Sequence, residues 1–384
     1  MNSKKWIRAW FIIVIITSIP IVGGLNYVVD PYALNEKNVI NKPKIQQRKK
    51  MRLIKAMKTE RIKPASICLG TSRAEYGYDP AHSYFSNPSY NLATVASSMY
   101  ENRLYFEHSL KQGKLKKVLL VADYIMFNDD TQKAVQDFET YFEGENIYGL
   151  LFSMDVLKDS LLTIIGGEHS STYSTDGQRE QKYHLRIILK DGGHLKAFKK
   201  WERKSYKDYQ ANYTYGDTRK KSFPDFEEII RLCYENNIEL DIIFGPSHIR
   251  QWEALNYYFG YGKWLKWKKD VVLSANKIAK QLNKKQFRIM DFSVYHKLTA
   301  EKVPTDKNTT MKYYMEASHY RNELGLIVLD RLTGKSEYKD FGVELNLQNI
   351  NAHLKQQRVK REEYIDVNKY QLEVFGEIKG DVTL

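Results

Sequence analysis

The stretch ASICLGTSRAE, residues 65–75, carries the most informative local pattern in this 384-residue chain. A short apolar run from Ala65 ends at Gly70 and predicts a buried strand, and the residues from Ser72 onward predict the start of a helix. A serine at such a junction lies at the carboxyl-terminal edge of a sheet, where helix N–H groups and the helix dipole stabilise a developing oxyanion. An ordinary serine helix cap has the same appearance, so the pattern alone leaves both interpretations open.

Alternating apolar and amphipathic segments predict the architecture around this junction. Apolar runs long enough for buried strands recur three more times, and segments with helical periodicity separate them. Strands that alternate with helices are typical of an α/β domain with a parallel sheet. The predicted strands span residues 65–70, 115–123, 239–245 and 286–291, and the predicted helices span about 97–112, 223–236, 264–285 and 322–333.

Residues 10–29 form an uncharged, largely apolar run near the amino terminus. About 20 apolar residues are long enough to cross a bilayer as a helix. The run is preceded by Lys4, Lys5 and Arg8. This positive flank favours a cytoplasmic segment over residues 1–9, with the rest of the chain outside. The sequence therefore predicts a transmembrane anchor, with a cleaved signal peptide and a buried soluble helix as the alternatives.

A basic connector follows at residues 30–63. From Lys42 to Lys63 it carries ten lysine and arginine residues against the single acid Glu60, which gives +9 of the formal net charge of +14. Three apolar residues recur there at helical spacing, which fits either a basic helix near anionic lipid headgroups or a solvated helix on the domain surface. The rest of the chain is only mildly basic, and it shows no zinc-finger or RNP-like pattern, so we do not expect nucleic acid as a partner.

The predicted domain extends over residues 64–333, and its central part departs from the alternation of strands and helices. Residues 130–220 are rich in Tyr, Lys, Ser and Gly with few long apolar runs, so we expect an insertion that covers the site. Residues 334–384 predict an appended helix and a polar tail. The two cysteines, Cys68 and Cys233, lie in apolar runs and predict buried free thiols rather than a disulfide framework.

A second chemical pattern, Glu316-Ala-Ser-His319, lies in a predicted loop just before the last helix of the domain. A carboxylate three residues before a histidine can accept the imidazole Nδ1–H, which fixes the tautomer and leaves Nε2 to take a proton from a serine. Ser72, Glu316 and His319 are therefore a candidate catalytic triad. A surface histidine beside a helix start gives the same local pattern, so this motif alone leaves that alternative open.

Together the two patterns resemble the SGNH (GDSL-like) hydrolase superfamily, in which a strand leads into Gly-x-Ser and an acid-x-x-His precedes the final helix. Here the blocks read Gly70-Thr71-Ser72 and Glu316-x-x-His319, in the same order and widely separated. The resemblance is closest to membrane-anchored members that modify bacterial envelope polysaccharides, of the alginate O-acetylation and D-alanyl-transfer type. Tyr90-Asn91-Leu92 is similar to the opening of their second block. Over residues 65–333 the resemblance implies a three-layer, flavodoxin-like parallel sheet, here with an N-terminal transmembrane helix and an inserted region.

Several positions depart from the pattern of this superfamily. The triad acid is Glu316 instead of Asp, and the second-block glycine that supplies an oxyanion donor has no clear counterpart. The backbone N–H of Ala96, or of the residue after it, is the expected replacement. The third block, Gly-x-Asn-Asp, is absent after the strand at 115–123, where Asp123 and Asn128 lie nearby and only the asparagine can donate while neutral.

Other side chains are candidates for contacts with a substrate. Arg73 follows the nucleophile and suits an anionic or carbonyl group, in oxyanion stabilisation or in substrate binding; a surface ion pair with a nearby acid is the alternative. Asn91 in the second block is a further candidate for substrate binding. His248 follows a strand end and is either a substrate contact or a histidine packed at a helix start. The remaining histidines show no ligand spacing, so we expect neither a metal nor another cofactor.

The sequence thus predicts a single-pass protein of the cytoplasmic membrane whose catalytic domain faces the periplasm or exterior. Its expected activity is that of a serine esterase or acyltransferase on acyl groups of an envelope polysaccharide or lipid-linked glycan, with the membrane and a multi-pass acyltransferase as candidate partners. The departures in the oxyanion blocks favour a rival hypothesis, a non-catalytic module of the same fold that binds polysaccharide or scaffolds an acyltransferase complex. A basic membrane-surface adaptor is a third hypothesis, which leaves the triad unexplained.

Overall fold

The structure is a computed structural model that describes residues 3–35, 40, 42–129, 138–143, 147–166, 172–208, 213, 215 and 222–379. A six-stranded sheet lies at its centre, and a hydrophobic core covers each face of that sheet. The strands are β1 (Ser66–Leu69), β2 (Ser89–Asn91), β3 (Lys117–Ala122), β4 (Glu239–Phe244), β5 (Arg288–Asp291) and β6 (Val343–Glu344). The α-helices are α1 (Ser3–Val29), α2 (Met51–Ile62), α3 (Ser72–Gly77), α4 (Met99–Lys111), α5 (Ile147–Leu151), α6 (Met154–Ile165), α7 (Lys182–Lys190), α8 (Gly193–Lys200), α9 (Ser222–Glu235), α10 (Ile249–Phe259), α11 (Tyr261–Gln281), α12 (Asn322–Leu332), α13 (Ile350–Tyr364) and α14 (Val367–Phe375).

The strand order brings the serine junction to the middle of one sheet edge. Strands β1 to β5 are parallel and lie in the order β2-β1-β3-β4-β5. From β1 the chain continues to β2 on one side, whereas from β3 it continues to β4 and β5 on the other side. The direction of the strand order therefore reverses between β1 and β3. Open α/β sheets bind their ligands at such a switch point, beyond the carboxyl ends of the strands. Ser72, at the start of α3, lies at this point directly after β1.

The predicted fold is wrong in two respects, and the first concerns the sheet. It is mixed rather than wholly parallel, because β6 pairs antiparallel with β5 at the edge. This strand has two residues, and Leu345, just beyond it, donates its N–H to the Ile289 carbonyl at 2.8 Å. So short a strand forms by pairing with its neighbour, and it has no alternating pattern of its own to reveal it.

The second correction concerns the predicted transmembrane helix. No helix in the described part of the chain is long and apolar enough to cross a membrane. The run at 10–29 belongs to α1, and the end of α1 is built into the folded domain through a buried polar residue. Asn26 is 2% exposed, donates to the Leu151 carbonyl at 2.7 Å and accepts from Ser160 Oγ at 2.9 Å. These bonds join α1 to α5 and α6 of the inserted region.

The basic connector is also part of the domain, since α2 is packed among other elements. Seven of its twelve residues are buried, including Lys55, which has no exposed surface. The Lys55 ammonium donates to the Ala93 carbonyl at 2.5 Å and lies 3.3 Å from the Glu75 carboxylate. The helix therefore matches neither the headgroup-bound nor the solvated form that its charge suggested.

The described part of the predicted insertion lies against the nucleophile helix. Arg179 donates its N–H to the Glu75 carbonyl at 2.8 Å, and the Gln178 amide donates to the Tyr76 carbonyl at 3.0 Å. These bonds bring the residues before α7 alongside α3. Residues 130–137, 144–146, 167–171 and most of 209–221 fall outside the described residues, and the prediction for them remains open.

The carboxyl-terminal segment closes the edge of the sheet. It contains β6, α13 and α14, where the sequence suggested a helix and a tail. The His353 ring on α13 lies 2.8 Å from the Asp291 carboxylate, which also accepts from the Lys268 ammonium at 2.7 Å. All three side chains are buried, so this polar cluster fixes α13 and α11 to the end of β5. Cys68 and Cys233 are buried free thiols, which confirms that prediction.

Candidate active site

The structure brings together three residues that are far apart in the sequence. Ser72 Oγ lies 2.7 Å from His319 Nε2, within ordinary hydrogen-bond distance. On the other side of the imidazole, Nδ1 is hydrogen-bonded to Glu316 Oε1. Ser72 is half-buried and Glu316 is fully buried. Of the three hydrogen-bonded residues, the serine therefore lies nearest to solvent. This is the order of contacts required for a serine activated by a histidine that a carboxylate orients.

The loop that carries Glu316 is closed by its own backbone. Tyr314 and Tyr320 form an antiparallel bridge across it, and the Met315 N–H donates to the His319 carbonyl at 3.0 Å. Within the loop, Glu316 accepts from the backbone N–H groups of Ser318 at 2.8 Å and of His319 at 3.1 Å. The carboxylate therefore holds both the imidazole and the loop that presents it.

These contacts also set the protonation state of the carboxyl group. Burial alone would raise the pKa of Glu316, but the adjacent His319 imidazole and the Ser318 N–H favour the anion. Their combined effect outweighs burial and leaves the pKa of Glu316 below its ordinary value. The group is therefore a carboxylate at neutral pH, able to accept the Nδ1 proton.

The nucleophile is positioned by a glycine for which a side chain has no room. Gly70 has φ of +151°, and a Cβ there would lie 2.7 Å from the Ala74 Cβ and 3.1 Å from the Val121 Cβ. The Gly70 N–H donates to the Asn102 side chain at 2.7 Å. Thr71 then caps α3 by accepting the Arg73 N–H. The tight turn explains why Gly precedes the Thr-Ser pair.

Arg73 contacts protein groups instead of the space above the nucleophile. Its side chain is 4% exposed and pairs with the Asp123 carboxylate at 2.9 Å. The guanidinium also donates to the Ser318 hydroxyl at 2.9 Å and to the Ser318 carbonyl at 3.1 Å. Asp123 in turn accepts a hydrogen bond from the Thr71 hydroxyl. Arg73 thus connects the nucleophile turn, the end of β3 and the loop of the triad acid, and its ion pair is a buried one with Asp123 rather than the surface pair that was the alternative.

Two other predicted substrate contacts are structural. Asn91 has no exposed surface, and its amide donates to the carbonyls of Ala74 and Tyr78 at 3.0 and 2.9 Å, which ends α3. His248 caps α10 by accepting the Arg250 N–H at 3.2 Å, and its Nε2 lies 2.8 Å from the Glu301 carbonyl. Burial lowers the pKa of His248 to about 3. The alternative of a histidine packed at a helix start is the one that the structure shows.

Of the two other predicted oxyanion donors, Ala96 and Asn128, the first lies beside the nucleophile strand. Ala96 is exposed, with φ of +51°, in a turn whose Thr94 N–H donates to the Gly70 carbonyl at 3.3 Å. The N–H of Ser97 already donates to the Thr94 carbonyl at 3.3 Å, so Ala96 is the better candidate of the two. Asn128 is half-buried five residues after Asp123, and it is Asp123 that reaches the nucleophile turn.

The rings of three further residues surround the His319 imidazole, and no sequence motif predicted these contacts. The rings of Tyr76 and Trp201 meet the His319 ring edge-on at 5.5 and 5.4 Å, and the His184 ring lies 6.3 Å away. The Tyr76 hydroxyl and His184 Nδ1 are 3.1 Å apart. Burial, and then the nearby His319, lower the pKa of His184 to about 4, so His184 is neutral at pH 7. Only the position of Tyr76, one helical turn after Ser72, was a usable signal.

Comparisons with known proteins add no family assignment. No protein-family model matches the chain, and no curated protein is significantly similar to it. In the part of the chain that the structure describes, no group of three or more His, Cys, Asp or Glu side chains is arranged to hold a metal ion, and the expected lack of a metal stays a prediction.

Proposed function

We propose that this protein is a serine esterase or O-acyltransferase of the SGNH type that acts on O-acyl groups of a polysaccharide. The observation that carries the proposal is the 2.7 Å contact between Ser72 Oγ and His319 Nε2, with the buried Glu316 carboxylate behind the imidazole. Its place at the switch point of the sheet supports the same conclusion. The envelope location and a multi-pass acyltransferase partner stay predictions.

The proposed reaction follows from these contacts. Ser72 Oγ attacks the acyl carbonyl carbon while its proton passes to His319 Nε2. The tetrahedral intermediate then expels the sugar oxygen, which takes that proton and leaves as a hydroxyl, and the acyl group remains on Ser72 as an ester. A water molecule releases the acid in hydrolysis, whereas a second sugar hydroxyl takes the acyl group in transfer. Glu316 keeps Nδ1 protonated and stabilises the imidazolium in both half-reactions.

The oxyanion donors are fewer than in the superfamily pattern. The N–H of Ser72 at the start of α3 has no partner within the helix, and Ala96 is the candidate for a second donor. Asp123 cannot donate as an anion, and its oxygens are engaged by Arg73 and Thr71. Each lost donor costs about 10²–10³ in rate. A slow hydrolase, or a transferase with a concentrated acyl donor, fits this site.

The test compares Ser72→Ala with Ser83→Ala, a matched change at an exposed serine away from the triad. With purified protein and para-nitrophenyl acetate, Ser72→Ala should lower kcat/KM by at least about 10³-fold, whereas Ser83→Ala should not change it. A fluorophosphonate probe should label the unaltered chain and the Ser83 variant but not the Ser72 variant. Equal turnover and equal labelling of both variants would reject a serine mechanism.

The engaged Asp123 also favours a second candidate, a non-catalytic module of this fold that binds glycan or scaffolds an acyltransferase complex. Cells can separate the two functions. If glycan acylation changes in a full deletion but stays normal with Ser72→Ala, the scaffold function is supported. If it changes equally in both, with the variant accumulating normally, catalysis is supported.

A further inference from the structure

A cavity of about 420 Å³ lies between α7 and α8, next to the catalytic histidine. Its lining includes His184 and Trp201, whose rings lie 6.3 and 5.4 Å from the His319 ring. Cavities of about 300–1,000 Å³ are typical of sites for small ligands. A group bound in this cavity would therefore lie beside the reacting serine and histidine.

The charge of this cavity is strongly positive. Lys190, Lys196 and Lys200 line it and are exposed, and within the described residues none of the three forms an ion pair. Asp191 is the acidic residue among the described lining. An adjoining cavity of about 410 Å³ shares Lys196 and Lys200 and adds further cations, Lys199 and Arg203. Of these, Lys199 lies 3.6 Å from the Glu373 carboxylate, and the Arg203 guanidinium donates to the Val374 carbonyl.

The position of these cations relative to the triad is fixed by a buried histidine. His194 on α8 has no exposed surface, its Nδ1 lies 2.8 Å from the Met315 carbonyl, and its Nε2 accepts the Met311 N–H at 3.2 Å. Met315 directly precedes the triad acid. Gly193 packs so closely that a Cβ would lie 2.7 Å from the Lys307 Cα. The helix pair is thus attached to the loop that carries Glu316 and His319.

We infer that this cavity binds a negatively charged sugar of the glycan substrate, which names the substrate class within the proposed function and rests on it. Lysine ammonium groups form charge-assisted hydrogen bonds with carboxylate and phosphate oxygens, and either group on the sugar would satisfy them. Trp201 and Ile187 supply apolar surface on which a sugar ring can lie. A neutral glycan would form none of these charge-assisted bonds with the three lysines.

The experiment removes the three charges from the full chain by Lys190→Ala, Lys196→Ala and Lys200→Ala together. The control removes three lysines from the opposite edge of the sheet by Lys280→Ala, in the last turn of α11, together with Lys284→Ala and Lys285→Ala, just after it; these are exposed as well. Each variant is assayed with O-acetylated oligouronate, O-acetylated phosphate-bearing oligosaccharide and O-acetylated neutral oligosaccharide. Melting temperature reports whether each variant folds.

The ratio of kcat/KM for an acidic substrate over the neutral one should fall about tenfold in the cavity variant and stay unchanged in the control. A fall with uronate or with phosphate supports the inference and tells which anion the site prefers. An equal fall in both variants, or no preference for acidic glycan in the unaltered chain, overturns it.

Binding distinguishes failure of the inference from failure of the proposed function. If no ester is turned over at all, calorimetric titration of the same oligosaccharides into Ser72→Ala still measures their affinity for the cavity. If the acidic glycan binds more tightly than the neutral one, and this preference disappears when the three lysines are replaced, the inference holds although the proposed catalysis fails. Equal binding of acidic and neutral glycans overturns it.

Discussion

At the scale of single residues, Glu316 uses its two oxygens for three hydrogen bonds. It accepts from His319 Nδ1 and from the N–H groups of Ser318 and His319. Glu316→Gln keeps the shape of the side chain, and its amide oxygen can still accept hydrogen bonds from the backbone N–H groups. However, a histidine that an amide orients tends to take the wrong tautomer. We expect kcat to fall by about 10⁴, measured on an acyl ester, with little change in fold.

Acid unfolding provides the control for this substitution. Because the pKa of Glu316 is lower in the folded chain than its ordinary value, the ionised group stabilises the fold above that value, near pH 4.3. This stabilisation is lost as the pH falls through the lowered, folded pKa. The difference in unfolding free energy between the unaltered chain and Glu316→Gln should therefore shrink in acid. A constant difference, or unchanged kcat, would contradict the role given to this residue.

The sequence predicted which residues could carry chemistry better than it predicted where they point. Ser72, Glu316 and His319 lie in short motifs at the ends of elements, so the pattern fixed both their type and their edge of the sheet. Arg73 and Asn91 lie in the same kind of motif, but their side chains point into the protein. Arg73 pairs with Asp123, and the Asn91 amide donates to a neighbouring backbone carbonyl. Whether a polar side chain faces solvent or protein depends on partners brought by folding.

At the scale of elements, the nucleophile helix α3 is attached to α2 and to the insertion by one buried ionic cluster. Glu75 has no exposed surface and lies 3.3 Å from the Lys55 ammonium and 3.4 Å from the Arg179 guanidinium. Burial lowers the pKa of Lys55, and Glu75 acts against that shift. The cluster explains why a basic helix lies in the interior.

The cluster predicts strong coupling between the two elements. Lys55→Met leaves Glu75 with Arg179 as its cationic partner, so we expect a loss of about 3–5 kcal/mol in unfolding free energy. Adding Glu75→Gln removes the uncompensated charge and should restore part of this loss. Denaturant unfolding of the two single variants and the double variant measures the coupling, expected at about 0.5–3 kcal/mol. Strictly additive losses would show that the ion pair does not join the helices.

Elements with a long amphipathic pattern were predicted closely. The helix predicted at 322–333 is α12, Asn322–Leu332, and the one predicted at 97–112 is α4, Met99–Lys111. By contrast, β2 and β6 have three and two residues and form through pairing with neighbours, so no periodic signal reports them. The apolar run at 10–29 lies in α1, and hydropathy does not show that Asn26, near its end, bonds to another part of the chain.

At the scale of the whole molecule, the chemistry and the charge lie on one edge of the sheet. Ser72 follows β1, Asp123 follows β3, and the loop of Glu316 and His319 joins them through Arg73. The α7–α8 pair adds the lysine-lined cavity to the same edge through His194. Lys280, in the last turn of α11, and Lys284 and Lys285, after it, lie at the opposite edge, so overall basic composition could not show that a lysine-lined cavity lies beside the triad.

The many tyrosines give the whole molecule a predictable response to alkali. Burial, the largest cause in every case, raises the pKa of nine of them well above the ordinary value: Tyr78, Tyr84, Tyr105, Tyr173, Tyr213, Tyr295, Tyr314, Tyr320 and Tyr370. Their stabilisation is complete below the unfolded pKa of about 10, and is lost as the pH rises above it towards the folded values. Lys268, with its pKa lowered by burial to about 8, acts in the opposite direction, as do Lys44, Lys55 and Lys58, whose pKa values burial also lowers, but these lysines are fewer than the tyrosines.

Each such tyrosine lowers the unfolding free energy by about 1.4 kcal/mol for every pH unit above pH 10. Nine of them lower it by about 12 kcal/mol per pH unit, which is comparable with the whole stability of a domain. We therefore expect cooperative unfolding within about one pH unit above pH 10. Tyrosinate absorbance and the loss of circular dichroism should change together in one steep transition, while the guanidinium-unfolded chain titrates broadly near pH 10. Tyrosinate that forms gradually around pH 10 with the circular dichroism intact would show that these hydroxyls reach water in the folded chain.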